Sequence, residues 1–218
     1  TTTPWTLPGN VALAVNPGIK YQVSSMKYGD GKIEKYICAK ERLSEVFKDK
    51  ERAISIEGEI LGKDLVGKVY KPIFDYYAKD EKLANHENGW KVYAADFVTT
   101  KGGTGIVHIA PAFGEDDMEL GKKMKLPFIQ HVGMDGTIKP EVKAFAGMHV
   151  KPKSAHWPEA DTRSVKGGFR DSNKERLGTD IAILKYLQEN GVLFAKENIT
   201  HSYPHCWRCD WPLLNYAA

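Results

Sequence analysis

Apolar residues along this chain fall in short runs broken by turns. Val11-Ala12-Leu13-Ala14-Val15 is a short apolar strand closed by Asn16-Pro17-Gly18. Residues 21–26 and 33–39 flank Gly29-Asp30-Gly31 and read as a hairpin. Residues 53–60 alternate apolar and polar side chains, as a half-buried strand does. Further strands are expected over residues 90–98, 105–110, 126–132 and 137–138, the last two around Gly133-Met134-Asp135-Gly136. Three stretches carry helical signals. Residues 40–50 form a charged surface helix. Residues 115–125 open with acids, as the helix dipole favours. Residues 179–190 place Ile183, Leu184 and Leu187 on one face and stop at Gly191. Residues 151–178 have little periodicity and are expected to be a surface insertion. Short strands at irregular spacing with helices between them predict a mixed α/β, β-rich fold: a small β-barrel core decorated by helices.

Composition narrows the class. The 218 residues are 42% hydrophobic, enough for a real core, and 20 glycines with 11 prolines supply many turns. The chain contains no run of eighteen apolar residues, so no membrane-spanning helix is expected. It shows no charged and apolar leader, and it begins on three threonines without Met, as an excised piece would. Three cysteines, two of them in one Cys-x-x-Cys, fit a reducing, cytoplasmic setting better than a disulfide scaffold. The net charge of +3 does not by itself mark a nucleic-acid binder. The excess is uneven, because residues 151–178 hold seven Lys or Arg against four Asp or Glu. Such a stretch is either a solvated loop or a contact for nucleic-acid phosphates.

Candidate chemistry gathers in three segments. Thr1-Thr2-Thr3-Pro4-Trp5-Thr6-Leu7-Pro8-Gly9-Asn10 is rich in hydroxyls and turn residues. Gly103 to Asp117 carries His108 in an apolar strand and then Glu115-Asp116-Asp117 at a helix start. Helical spacing puts Asp117 on the stripe of Leu120, Gly121 and Met124, whereas Glu115, Glu119 and Lys122 fall on the wetter side. An inward carboxylate needs a partner or a function; a salt bridge or a cap on a loop amide would satisfy it equally. A lone His in an apolar strand is most often structural. Cys206 and Cys209 have the spacing of half a tetrahedral zinc site, with Cys38 far away and His201 and His205 nearby.

These three segments together resemble the editing (CP1) domain of isoleucyl-tRNA synthetases. The resemblance covers nearly the whole chain, densest over residues 1–18, 102–138 and 179–218 and weakest over 151–178. It implies a single editing domain over 1–218, with residues 198–218 returning toward a catalytic body outside this chain. It implies that Thr2 and Thr3 hydrogen-bond the substrate and the attacking water, and that Thr1, Trp5, Thr6 and Asn10 line the same wall. Asp117 would hold the α-ammonium of the aminoacyl group, a charge-assisted contact that fixes orientation. His108 would stand beside the amino-acid side-chain pocket and help to exclude isoleucine. The implied reaction is metal-free hydrolysis of valine from mischarged tRNA(Ile), whose 3′ end is the expected partner. Isoleucine against valine is the standard case in which binding alone discriminates weakly and a second, smaller site clears the error.

The resemblance also sets expectations about cofactors and rivals. Cys206 and Cys209 would pair with a second Cys-x-x-Cys outside this chain, leaving an empty half site here. Zinc and ATP with magnesium are expected only in the full-length ligase. Lys101-Gly102-Gly103-Thr104-Gly105 precedes a strand, which is the wrong context for a phosphate loop. No membrane is implied, and a monomer is expected. The alternatives are a valyl-type domain that clears threonine, argued against by Thr3-Pro4-Trp5 and by the Tyr203–Cys209 string, and a non-catalytic tRNA-binding module.

Overall fold

The computed structural model describes residues 1–48, 54–150, 178–197, 205–208 and 213–217. Six strands form two three-stranded sheets. In the first, β1 (Ala12–Val15) lies between β5 (Lys91–Ala94), to which it is parallel, and β6 (Val107–Ile109), to which it is antiparallel. Ala12, Ala14 and Val15 of this central strand are buried, as its unbroken apolar run requires. In the second sheet β2 (Lys20–Lys27) lies between β3 (Ile33–Ala39) and β4 (Ile54–Leu61), both antiparallel to it. The β2–β3 hairpin turns where Gly29-Asp30-Gly31 predicts, with Gly31 at φ +85°. A bulge between Val23 and Ser24 shifts the β2–β4 register.

Hydrogen bonds outside the ladders tie both margins of the first sheet to neighbouring segments. The Ala39 amide donates to the Thr104 carbonyl, joining the end of β3 to the approach of β6. On the other margin Gly67 and Val92 bond across residues 67–68 and β5. Val15, Tyr21 and Ala39 from the two sheets share one core cluster with Leu65, and Ile60, Val92 and Ile106 pack against it. Gly105 shows why these chains can meet so closely. It has φ +74°, and a Cβ there would come within 2.5 Å of the Ala39 Cβ. Among the described residues the strands therefore make a mixed α/β architecture of two joined sheets, and no closed barrel.

The helices sit where periodicity places them. α3 (Glu115–Met124) buries Leu120 and Gly121 and leaves Glu115, Glu119 and Lys122 exposed. It ends at Lys125 in the left-handed region, where the Leu126 amide returns to the Gly121 carbonyl. α4 (Thr179–Glu189) buries Ile183 and Leu187, with Leu184 half-buried, and stops before Gly191 at φ +66°. Ile183 and Leu187 enter a cluster with Trp5, Phe113, Val132, Ile138 and Phe145. Each fully buried aliphatic side chain there contributes about 1.5–3 kcal/mol.

Several expected elements are shorter or absent. The helix over 40–50 reduces to a 3₁₀ turn at Lys40–Arg42 and one turn, α1 (Leu43–Val46), with residues 49–53 outside the described set. A second short turn, α2 (Gly62–Leu65), follows β4. The strand over 90–98 is paired only at 91–94, because Val98 turns back to bond the Ala95 carbonyl. Residues 126–132 do not join a ladder. Pro127 lacks an amide, and although Pro127, Ile129 and His131 are buried with Phe128 exposed and Gln130 half-buried between them, no strand lies alongside the run among the described residues. Only single bridges, Val132 with Ile138 and Thr137 with His149, remain of the two strands expected there. The expected insertion over 151–178 lies, apart from Gly178, outside the described residues.

Candidate active site

The threonine-rich start folds as a 3₁₀ turn over Pro4–Gly9, with Pro at its first position fixing φ. Trp5 anchors it, 2% exposed and edge-on to Phe113 at 5.1 Å. The Trp5 amide donates to Asp180 Oδ1 at 2.8 Å, which ties the turn to the first turn of α4. The Thr3 carbonyl accepts twice: from the Thr6 amide at 3.1 Å and from Thr6 Oγ1 at 2.8 Å. Thr1, Thr2 and Thr3 are hydrogen-bonded among themselves, Thr1 Oγ1 accepting from the Thr3 amide at 3.0 Å and the Thr2 and Thr3 hydroxyls meeting at 3.4 Å. Thr1 and Thr2 are exposed and Thr3 is half-buried.

Thr6 joins this segment to β6. Its Oγ1 lies 2.9 Å from His108 Nε2. Because the single hydroxyl hydrogen is given to Thr3, His108 must donate from Nε2, which leaves Nδ1 as the bare acceptor. That Nδ1 is buried without a partner among the described residues. Burial, with His131 adding to it, pushes the His108 pKa down to about 3. At neutral pH this imidazole is therefore uncharged, a hydrogen-bond acceptor facing inward and not a proton store.

Two residues past His108 along the chain, the Ala110 amide donates to Asp117 Oδ2 at 2.8 Å. Asp117 is half-buried on the predicted inward stripe of α3. Burial raises its pKa, and the Ala110 amide only partly offsets this. Asp117 thus both caps a loop amide and keeps an acceptor, since only Oδ2 is held. An ammonium arriving at Oδ1 would relieve the desolvation that raises the pKa.

One hydrogen-bonded path accordingly brings together Thr1, Thr2, Thr3, Thr6 and His108, and the amide that holds Asp117 follows two residues after His108, just past the end of β6. Asn10 is placed differently. It is 9% exposed and spent on structure: its Nδ2 donates to the Ala12 carbonyl at 2.9 Å, and its Oδ1 accepts from Tyr70. Trp5 is an anchor of the turn, with its indole Nε1 buried and without a partner among the described residues. Cys206 is half-buried near the end of the chain, and Cys209 lies outside the described residues. Among the described residues no three His, Cys, Asp or Glu side chains group as metal ligands would.

Sequence reasoning passed over His131. It is fully buried, donates from Nε2 to the Trp5 carbonyl at 2.9 Å, and stands edge-on to Phe113 at 4.8 Å. Its partner is 126 residues away, so no local pattern could have paired them. Tyr70 and Asp180 were missed for the same reason.

No protein-family model matches the chain. Curated relatives do. The isoleucine–tRNA ligase of Clostridium acetobutylicum is 41% identical over 216 residues, covering 99% of this chain and 17% of that protein. The isoleucine–tRNA ligase of Bacillus thuringiensis is 39% identical over all 218 residues, again 17% of its length. Among solved structures, GlLeuRS-CP1 overlays 57% of this chain and 42% of that one at 22% identity and a TM-score of 0.45. The P. falciparum cytosolic leucyl-tRNA synthetase editing domain overlays 57% of this chain and 45% of that one at 19% identity and a TM-score of 0.44. The chain spans about a sixth of the curated relatives it matches, and over its whole length it is homologous to a segment of the isoleucine–tRNA ligases.

Proposed function

We propose that this chain is the editing unit of an isoleucine–tRNA ligase and hydrolyses the ester of valine wrongly joined to tRNA(Ile). The observation that carries the reading is the juxtaposition of the threonine turn, His108 and Asp117 through Thr6 and Ala110. Asp117 Oδ1 receives the α-ammonium of the aminoacyl group and fixes the ester's position. Thr2 and Thr3 hold the attacking water with their hydroxyls. The ribose hydroxyl beside the ester and nearby amides take up charge as the tetrahedral centre forms. Water adds to the carbonyl, the ester C–O bond breaks, and the proton passes to the departing ribose oxygen, leaving free valine and uncharged tRNA. Neutral His108 presents Nδ1 beside the aminoacyl side chain and narrows the space that a longer chain would need.

In this reading the hydrolysis is metal-free, with zinc and ATP–magnesium belonging to the rest of a longer, cytoplasmic ligase. The two joined sheets are read as the open form of the small barrel, with the Ala39–Thr104 bond where the end of β3 meets the approach of β6.

The test is deacylation of Val-tRNA(Ile) and Ile-tRNA(Ile) by this chain, beside Asp117→Ala. Loss of valine but not isoleucine, abolished by the substitution, is the expected result. If neither ester is cleaved, binding of a non-hydrolysable valyl-adenosine analogue decides. Binding that needs Asp117 keeps the pocket assignment, and no binding sinks it.

A further inference from the structure

His131 has no place in the reaction outlined above, yet nothing in the site is more deeply set. Its ring is fully buried, packed edge-on against Phe113, and approached so closely by Gly9 that a Cβ there would lie 2.6 Å from Nδ1. A carbonyl can only accept, so the 2.9 Å contact to Trp5 fixes the proton on Nε2. Nδ1 is left as a buried acceptor without a partner among the described residues. Burial lowers the pKa to about 4, so the ring is neutral at pH 7.

The carbonyl that His131 holds belongs to the same rigid peptide unit as the Thr6 amide. That amide bonds the Thr3 carbonyl at 3.1 Å, and the Thr6 hydroxyl bonds the same carbonyl at 2.8 Å. The same hydroxyl then accepts from His108. Rotating the Trp5–Thr6 peptide would break the amide contact, turn the Thr6 side chain, and free both Thr3 and His108. We infer that His131 is a positioning residue: by donating Nε2–H to the Trp5 carbonyl it locks the peptide that sets Thr3 and the tautomer of His108. Its structural part stands alone, and only its kinetic consequence rests on the editing reading.

The test uses the 218-residue chain with His131→Leu, His131→Gln and His131→Asn. A glutamine amide reaches the Nε2 position and keeps the donor, whereas an asparagine amide stops at the Nδ1 position and does not. Long-range ¹H–¹⁵N spectra at pH 7 read the tautomer of His108 directly. The wild type and His131→Gln should show protonated Nε2 and bare Nδ1, and His131→Leu and His131→Asn should show averaged nitrogens. In Val-tRNA(Ile) hydrolysis His131→Leu should lower kcat tenfold or more with KM changed less than threefold, and His131→Gln should recover to within threefold of wild type. A folded His131→Leu with an unchanged His108 spectrum overturns the inference. So does His131→Gln behaving like His131→Asn, a comparison that decides the matter if the leucine variant does not fold. If the tautomers follow the expectation while even the wild type fails to hydrolyse, the editing reading falls and the positioning role stands.

Discussion

Gly9→Ala tests the packing on which the site rests. The backbone at Gly9 is in an ordinary region, so any cost must come from the space around the added methyl. That methyl would lie 2.6 Å from His131 Nδ1, 2.8 Å from its Cε1 and 3.4 Å from the Phe113 ring. Relief needs a shift of nearly 1 Å, but the imidazole is pinned on one side by Trp5 and on another by Phe113, with no exposed surface to move into. Overpacking of this kind costs about 1–3 kcal/mol. The lost chain freedom of glycine offsets about 0.4–1 kcal/mol of it. The net loss should be roughly 1–2 kcal/mol, or a fall in Tm of about 2–8 °C for a chain of this size. Urea unfolding and thermal melts against Gly102→Ala, where the methyl meets nothing within 4 Å, provide the measurement. Adding His131→Ala should abolish the extra cost of the Gly9 substitution, a coupling that a double-mutant cycle reads. Equal stability of Gly9→Ala and Gly102→Ala, or additive effects in the cycle, would refute the reasoning.

Two further predictions follow from buried polar groups. Tyr70→Phe removes the donor to Asn10 Oδ1 and leaves a buried acceptor unmet, which should cost about 1–3 kcal/mol in urea unfolding; combined with Asn10→Ala, the two losses should sum to less than their separate values. Stability should also fall with acid. His131 is held at about 4 in the folded chain against 6.5 unfolded, so the unfolded state takes up its proton first. Stability present above pH 6.5 is therefore lost as pH falls toward 4, by about 1.4 kcal/mol per pH unit and roughly 3 kcal/mol in all. His108 acts in the same direction, whereas the raised Asp117 opposes it near the bottom of the range. A wild-type slope between pH 6.5 and 4.5 no steeper than that of His131→Leu would contradict this.

The elements that sequence made legible are those governed by local physics. The apolar run 11–15, the Gly-Asp-Gly hairpin and the two long helices each carry their periodicity or turn chemistry within a dozen residues. The inward place of Asp117 is likewise a matter of helical spacing, and Leu120 and Gly121 beside it are buried as expected. The extended run 126–132 misled because its burial alternates as a strand's does, through Pro127, Ile129 and His131, while ladder pairing needs a neighbouring strand that no local pattern reveals, and Pro127 removes a ladder donor. The partners of Asn10, Ala12 and Tyr70, hold both ends of its amide, and the one 60 residues away, Tyr70, was not legible in the sequence.

The chain alone determined the residue types available for chemistry and the turns that present them: hydroxyls on a proline-started turn, an imidazole in an apolar strand, a carboxylate at a helix start. Only the tertiary structure decided which of them meet. Thr6 reaches His108 across 102 residues, Asp180 reaches Trp5 across 175, and His131 reaches Trp5 across 126. These pairings are set by burial. A polar group taken out of water must find a partner, and in a packed interior that partner is whichever group the fold brings within hydrogen-bond distance, however distant it is along the chain.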